Sequence, residues 1–376
     1  MSNGWNDDRF MAAAASYARR ALGRVWPNPA VGALIVRDDG DGPVIVGRGY
    51  TRPPGGPHAE VVALTEAGEK ARGATCYVTL EPCSHQGRTG PCSVALAEAG
   101  VRRVVIGLLD PNPRVAGRGV AMLRDAGVEV ASGIREDLCA ALHAGHVSRL
   151  TRGRPQVVLK LAVSRDGYIG KSGAGQIAIT GEDVFRRVHI LRAECDGILV
   201  GIGTALADDP VLNCRLPGLG HRSPVRIILD TSARLPLDSN LVATAAEVPL
   251  WLLVAADADP ERTEALTSAG CTVIRLARPK DGRIEPQAAV RALGQRGITK
   301  LMVEGGSAIA RAFLDADLAD EVIISQSELV IGEGGIPPFG DRGVDLVSQD
   351  PGYRTVGQRT VGADTMTHYV RDRSET

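Results

Sequence analysis

Runs that read as strands and runs that read as helices alternate along almost the whole chain, and the alternation breaks once. Before the break come a helix, DDRFMAAAASYARRAL, and a strand pair, AVGALIV and VIVGRGY, joined by the Asp/Gly-rich RDDGDGP. A helix follows from His58 to about Ala71, then TCYVTL (strand), CSVALAEAG (helix), RRVVIGLL (strand), GVAMLRDAG (helix) and VEVASG (short strand). Strands alternating with helices of this length predict a sheet covered by helices, an α/β fold. The helix REDLCAALHAGHVSRL runs into TRGRPQ, where Gly and Pro stop the pattern. The strand VVLKLAVS then starts a second α/β series with its own core, ending in strands at EVIISQ and near TMTHYV. The break predicts two domains, residues 1–150 and 155–376, within the two or three expected for 376 residues.

Composition excludes several classes of function. The formal net charge is −1, so the chain has no basic footprint for nucleic acid and no polybasic membrane signal. Aromatic residues are 3%, too few for base-stacking platforms. The N-terminal MSNGWNDDRFMAAAAS carries acids where a signal peptide carries Lys or Arg, and no stretch approaches the roughly 18 apolar residues of a membrane span. These features predict a cytoplasmic protein. The seven Cys are an odd number with no framework spacing. In a reducing compartment, clustered Cys points to a metal or to catalysis more than to disulfides.

The cluster lies in PHAEVVALTEAGEKARGATCYVTLEPCSHQGRTGPC. His58, Cys83 and Cys92 are candidate ligands of one zinc ion, because a catalytic zinc keeps three protein ligands and an open position for water. Pro82 before Cys83 fits a helix start, where the helix dipole favours a thiolate. Glu60, two residues past His58, is the candidate catalytic acid–base. It can take a proton from the zinc-activated water and return it to a leaving group. This is the His-x-Glu…Pro-Cys pattern of zinc-dependent base deaminases. That pattern has two residues between its Cys; here eight separate Cys83 from Cys92, and SHQGRTGP adds something beside the metal. A closed structural zinc site, with His85 as fourth ligand, and a metal-free cluster are the alternatives. Neither has a use for Glu60.

PNPAVG, HAE, TLEPCSHQGRTGPC and DPNPRVAGRG together resemble the bifunctional deaminase–reductase family of riboflavin biosynthesis, and the resemblance covers almost the entire chain. It implies a cytidine-deaminase-like α/β/α sandwich followed by a dihydrofolate-reductase-like α/β domain. It implies a diaminopyrimidinone substrate carrying a ribosylamino 5-phosphate. Asn28, Asp110 and Asn112 would hold base and ribose, and the inserted loop the phosphate, through Arg88 with His85 as a second contact. An Arg fork suits phosphate. Asp110 and Asn112 follow the strand RRVVIGLL, where open α/β sheets bind ligands, although Asp and Asn are also common in Pro-rich turns. Thr51 stands where many members have His.

The second half lacks a Gly-x-Gly-x-x-Gly fingerprint: GIGTALADDP offers Gly201 and Gly203, then Leu206. KLMVEGGSAIARAFL supplies a strand, a Gly-Gly turn and a helix opened by Ser307, which suits a pyrophosphate or a plain capped turn. KLAVSRDGYIG, LRAECDGILVGIGTALADDPVLNCR and VEGGSAIA are similar to the family's NADPH-dependent reductase domain. By that resemblance Ala162, Ala178, Thr204, Asp208, Thr231, Gly305, Gly306, Ser307 and Ala308 would line the cofactor. Gln176, Arg192, Leu212, Arg215 and Glu304 would line the substrate, with both arginines suited to its phosphate. Thr231, Ser232 and Arg234 are reasonable groups for a 2′-phosphate. Ala178 replaces the family's usual Trp, which removes a stacking surface.

The reading is a two-step enzyme that uses zinc and NADPH: hydrolytic deamination of 2,5-diamino-6-(5-phosphoribosylamino)pyrimidin-4-one, then reduction of ribosyl to ribityl. A nucleic-acid base deaminase is the first rival, opposed by the net charge. A non-catalytic zinc- and nucleotide-binding scaffold is the second, opposed by Glu60. The expected partner is the small-molecule substrate, without nucleic acid or membrane. The oligomeric state, monomer or homo-oligomer, is open.

Overall fold

The computed structural model describes residues 4–85, 90–112, 116–277 and 282–373. The chain divides into two compact units, Met1–Gly153 and Arg154–Thr376. In chain order the first contains α1 (Gly4–Ala18), β1 (Gly32–Asp38), β2 (Pro43–Tyr50), α2 (Ala59–Ala67), β3 (Thr75–Leu80), α3 (Cys92–Glu98), β4 (Arg103–Leu108), α4 (Arg118–Asp125), β5 (Glu129–Ser132) and α5 (Glu136–Arg152). The second contains β6 (Gln156–Val163), α6 (Glu182–Glu194), β7 (Gly197–Gly201), α7 (Ile202–Asp208), β8 (Val225–Leu229), α8 (Asn240–Ala243), β9 (Leu250–Ala255), α9 (Pro260–Ser268) and β10 (Thr272–Leu276). It continues with α10 (Pro286–Gln295), β11 (Lys300–Val303), α11 (Ser307–Asp315), β12 (Glu321–Gln326), α12 (Asp345–Ser348), β13 (Tyr353–Val361) and β14 (Asp364–Arg371).

The first sheet, among the described residues, has five strands in the order β2-β1-β3-β4-β5. β1 is antiparallel to both β2 and β3; β3, β4 and β5 are parallel. Side chains along a strand alternate between faces, and here both faces are covered. Ala33 and Ile35 of β1, Cys76 and Val78 of β3, and Val104 and Ile106 of β4 pack with Ala59, Ala63, Leu96 and Leu123 from α2, α3 and α4. The intervening Leu34, Tyr77 and Val105 pack with Met11, Ala14 and Cys139 from α1 and α5. This is the α/β/α sandwich. Glycine brings α2 hard against β2: a Cβ at Gly49 would overlap the Ala59 carbonyl oxygen.

The second sheet, among the described residues, has nine strands, β10-β9-β8-β7-β11-β6-β12-β14-β13. It is parallel from β10 to β12, and β14 and β13 complete it antiparallel. The central strands β7 and β8 are buried at every position, as strands covered on both faces must be. Four elements lie outside the expected series: α7, most of the GIGTALAD stretch, the short helices α8 and α12, and β13, the outermost strand. Seven of the nine residues of β13 are exposed, so it lacks the apolar alternation that marks a strand in sequence. The expected helix from His58 to about Ala71 is α2 with a 3₁₀ turn at Gly68–Ala71. Among the described residues, no helix is long and apolar enough to cross a membrane.

Candidate active sites

Three elements of the first unit converge on one point. His58 is the extended residue that starts α2, Cys83 lies in the loop after β3, and Cys92 is the first residue of α3. His58 Nδ1 is 3.6 Å from Cys83 Sγ and 3.3 Å from Cys92 Sγ. One donor atom from each residue lies within 4.8 Å of the others, and this is the metal-ligating group of His, Cys, Asp and Glu found among the described residues. The Cys92 thiol, hydrogen-bonded to Cys83, holds Cys83 down to about 4 against the opposing effect of burial, with help from His58. The same pairing pushes the Cys92 thiol up. A divalent cation between the two sulfurs would favour the thiolate form of both. One imidazole and two thiolates are a donor set that fits zinc with one open position. His85 is not in the cluster.

The expected helix start at Pro82–Cys83 is corrected. Cys83 sits in irregular backbone and the helix starts at Cys92, with Pro91 as its cap residue. The Cys92 backbone N–H donates to Cys83 Sγ over 3.3 Å. A free N–H of the first turn of α3 therefore still serves the Cys83 thiolate, from across the loop.

Glu60 lies in the first turn of α2 and is 4% exposed. Burial, then the neighbouring Cys83 charge, raises its carboxyl to about 7. It stands outside the ligand group. A carboxyl poised near neutrality can both accept and release a proton.

Asp110 is buried and Asn112 half-buried in the turn after β4, and Asp110 Oδ1 accepts the Asn112 N–H at 2.8 Å. Burial opposes ionisation of Asp110, but His146 and the Asn112 N–H hold its pKa below the ordinary value. Asn28 is half-buried in the loop before β1, and His85 is exposed beyond Cys83. Arg88 lies outside the described residues. Thr51 Oγ1 accepts the Val31 N–H at 3.0 Å, so its hydroxyl oxygen serves the loop that carries Asn28. His143 and His146 of α5 were missed. His143 meets Thr79 Oγ1 at 3.0 Å, and His146 Nε2 lies 3.8 Å from Asp110 Oδ1. Two buried His one turn apart in LHAGHVSRL were the available signal.

In the second unit a cavity of about 1640 Å³ opens at the C-terminal ends of β6, β7, β8 and β11, the place where parallel sheets bind ligands. Ala162, Gln176, Ala178, Arg192, Thr204, Asp208, Arg215, Thr231, Ser232, Arg234, Glu304, Gly305, Gly306, Ser307 and Ala308 line it. Leu212 is not among the lining residues; it packs in the core of the unit with φ 55. The Gly306 N–H donates to Thr204 Oγ1 at 3.0 Å, and a Cβ there would lie 3.1 Å from that oxygen. No side chain caps the start of α11, and of its first-turn N–H groups the Ile309 N–H donates to the Gly306 carbonyl, so the Ser307 and Ala308 N–H groups are the ones placed to meet a ligand. That glycine cradle, with Ser232 and Arg234 exposed on the turn after β8, fits a phosphorylated dinucleotide.

Glu304 is gripped from two sides. Lys160 Nζ is 3.0 Å from Oε1, and Arg192 Nη2 is 2.6 Å from Oε2. Burial would raise the Glu304 carboxyl, but Lys160 and Arg192 bring it down to about 2. Arg192 also donates to the Asn213 carbonyl at 3.1 Å. The two arginines therefore differ. Arg192 is buried and engaged with Glu304, whereas Arg215 is exposed, with its guanidinium 5.2 Å from the Phe185 ring centroid. Lys160 was missed as a site residue; its signal was a single charge inside the apolar run VVLKLAV. His189, also missed, lines the cavity and accepts the Arg215 backbone N–H on Nδ1 at 3.0 Å. Burial, then Arg192, lowers its pKa to about 4, so it stays neutral.

Residues 5–108 match the family model of the cytidine and deoxycytidylate deaminase zinc-binding region, and residues 155–365 match that of the RibD C-terminal domain. The riboflavin biosynthesis protein RibD of Actinobacillus pleuropneumoniae is 38% identical over 362 residues, 96% of this chain and 94% of the relative. That of Escherichia coli K12 is 37% identical over 376 residues, covering 97% and 99%. A solved structure of Acinetobacter baumannii RibD superposes with a TM-score of 0.85 at 34% identity, covering 99% of this chain and 100% of that one. A Thermotoga maritima diaminohydroxyphosphoribosylaminopyrimidine deaminase/5-amino-6-(5-phosphoribosylamino)uracil reductase superposes at 0.84 with 33% identity, covering 98% and 99%. With a His58–Cys83–Cys92 zinc site in one unit and a reductase domain in the other, the chain belongs to the RibD family of bifunctional deaminase–reductases of riboflavin biosynthesis.

Proposed function

We propose that the first unit deaminates 2,5-diamino-6-(5-phosphoribosylamino)pyrimidin-4-one and that the second reduces the ribosyl group of the product with NADPH. The observation that carries this reading is Glu60, buried beside a three-ligand zinc site and not part of it. Zinc on His58, Cys83 and Cys92 supplies Lewis-acid activation of a water. Glu60 takes that water's proton and returns it to the departing amino group. Asn28, Asp110 and Asn112 orient base and ribose, and His85 and Arg88 of the inserted loop hold the phosphate.

In the second unit the cavity would hold NADPH, which would supply a hydride for the ribosyl carbon. The Gly305–Ala308 turn and Thr204 seat the pyrophosphate, with Ala162, Ala178 and Asp208 along the cofactor. Arg215 takes the substrate phosphate. Glu304 stays anionic and, with Arg192, fixes Lys160, which lines the cavity and is the candidate donor of the proton that the opening ribose ring oxygen requires. Gln176 lies on the substrate side.

Mass analysis of products tests the reading. Substrate with protein alone should exchange one amino group for an oxo group, and added NADPH should give a further product carrying two more hydrogens. Reduction before deamination, or no conversion, would overturn it. The two halves should also work apart. Arg154 makes a buried bidentate pair with Asp320, at 2.6 and 2.9 Å, so the second half should begin at Arg154 and not later. A chain ending at Gly153 should deaminate without NADPH, and a chain from Arg154 should reduce deaminated substrate after zinc is stripped. Inactivity of both well-folded halves would refute their independence.

Thr231, Ser232 and Arg234 set the preference for NADPH over NADH. Losing one charge-assisted contact costs roughly ten- to a hundredfold in affinity. Arg234→Ala should raise KM for NADPH by about that factor and leave KM for NADH unchanged. Equal changes for both cofactors would remove Arg234 from the 2′-phosphate.

A further inference from the structure

We propose that Glu81 is a positioning residue of the deaminase, whose carboxylate fixes the Asp110–Asn112 turn relative to the loop that carries Cys83. The proposal rests on the reading that Asp110 and Asn112 contact the substrate.

Glu81 follows β3 directly, two residues before Cys83, and is 4% exposed. A buried carboxylate needs partners for its charge, and among the described residues Glu81 has four, all backbone N–H groups. Oε2 accepts from Asp110 at 3.3 Å and from Gly117 at 3.0 Å. Oε1 accepts from Gly119 at 3.0 Å and from Val120 at 3.3 Å. The Glu81 backbone N–H donates to the Leu108 carbonyl at 2.9 Å, which continues the β3–β4 pairing.

Three of those four donors belong to the start of α4. The cap residue of α4 is Gly117, which has no side chain to satisfy the first-turn N–H groups. Glu81 does that work from 36 residues away in sequence, and a negative charge is favoured there. The approach is close enough that a Cβ on Gly119 would overlap the Pro82 carbonyl oxygen. The fourth donor is Asp110 itself. A single side chain therefore joins the strand end that delivers Cys83, the turn that presents Asp110 and Asn112, and the helix behind that turn.

The consequence is a division of labour. Cys83 sets where the metal stands, Asp110 and Asn112 set where the substrate stands, and the Glu81 carboxylate fixes one against the other. Glutamine has the same size but presents an NH₂ to two of the four N–H donors, so half the clamp becomes a donor–donor clash. The turn then loses its anchor while His58, Cys83 and Cys92 keep their own positions. A misplacement of about 1 Å costs roughly 10²-fold.

Steady-state deamination by the full chain tests this, with zinc content and reduction of deaminated substrate measured on the same preparations. Glu81→Gln should lower kcat/KM for deamination by about 10²-fold, mainly through KM, with about one zinc per chain retained and reduction unchanged. Glu81→Asp keeps the charge and should recover part of the loss. In the unmodified protein the amide hydrogens of Asp110, Gly117, Gly119 and Val120 should exchange slowly, and Glu81→Gln should release them together. An unchanged KM, loss of zinc in place of a KM effect, or fast exchange of those amides in the unmodified protein would each overturn the proposal. Should Glu81→Gln be insoluble, Glu81→Asp and the exchange of the unmodified protein decide. Asp110→Asn separates the underlying reading: if it leaves KM unchanged, Asp110 does not bind substrate. If it raises KM while Glu81→Gln does not, only the positioning role falls.

Discussion

Glu60→Gln is expected to lower deamination by about 10²–10⁴-fold, the usual contribution of a general acid–base, with zinc content and reduction of deaminated substrate unchanged. Glutamine fills the same space in the first turn of α2 but neither accepts the water's proton nor returns one. The environment of Glu60 separates it from a ligand. It is buried, its carboxyl is raised to about 7 by burial and by the Cys83 charge, and it stands outside the His58, Cys83 and Cys92 group. Elemental analysis beside a single-turnover assay decides the matter. Deamination at the unmodified rate removes Glu60 from proton transfer, and loss of zinc makes it a ligand.

Cys92→Ser should abolish deamination altogether, because it is expected to lose the zinc. Cys92 Sγ is 3.3 Å from His58 Nδ1 and fully buried, and the group among the described residues has three ligands, of which it is one. Serine holds its proton at neutral pH and is a poor partner for zinc beside a thiolate. Reduction of already deaminated substrate should continue, since the described residues that line the cavity of the second unit all lie after Gly153. About one zinc per chain remaining in the variant would place the metal elsewhere.

His58, Cys83 and Cys92 were legible because metal ligation accepts few residue types, and the His-x-Glu…Pro-Cys spacing is specific. The strands of both sheets were legible for a different reason: buried strands read as apolar runs bounded by Gly and Pro. β13 was not, because an exposed outer strand such as YRTVGQRTV is under no apolar constraint. Lys160 was not, because a lone charge in VVLKLAV acquires meaning only when Glu304 arrives 144 residues later in the chain.

The sequence by itself determined the two α/β series and the zinc ligands His58, Cys83 and Cys92, since each depends on residue type and local spacing. Tertiary structure alone decided that Cys83 lies in irregular backbone and receives the Cys92 N–H, that Arg192 is engaged with Glu304 while Arg215 lies open, that Leu212 sits in the core, and that Glu81 reaches the amides of Asp110, Gly117, Gly119 and Val120. Hydrogen bonds and ion pairs act over about 3 Å, and the partners in these contacts stand tens to more than a hundred residues apart in sequence. Only the fold brings them within that range.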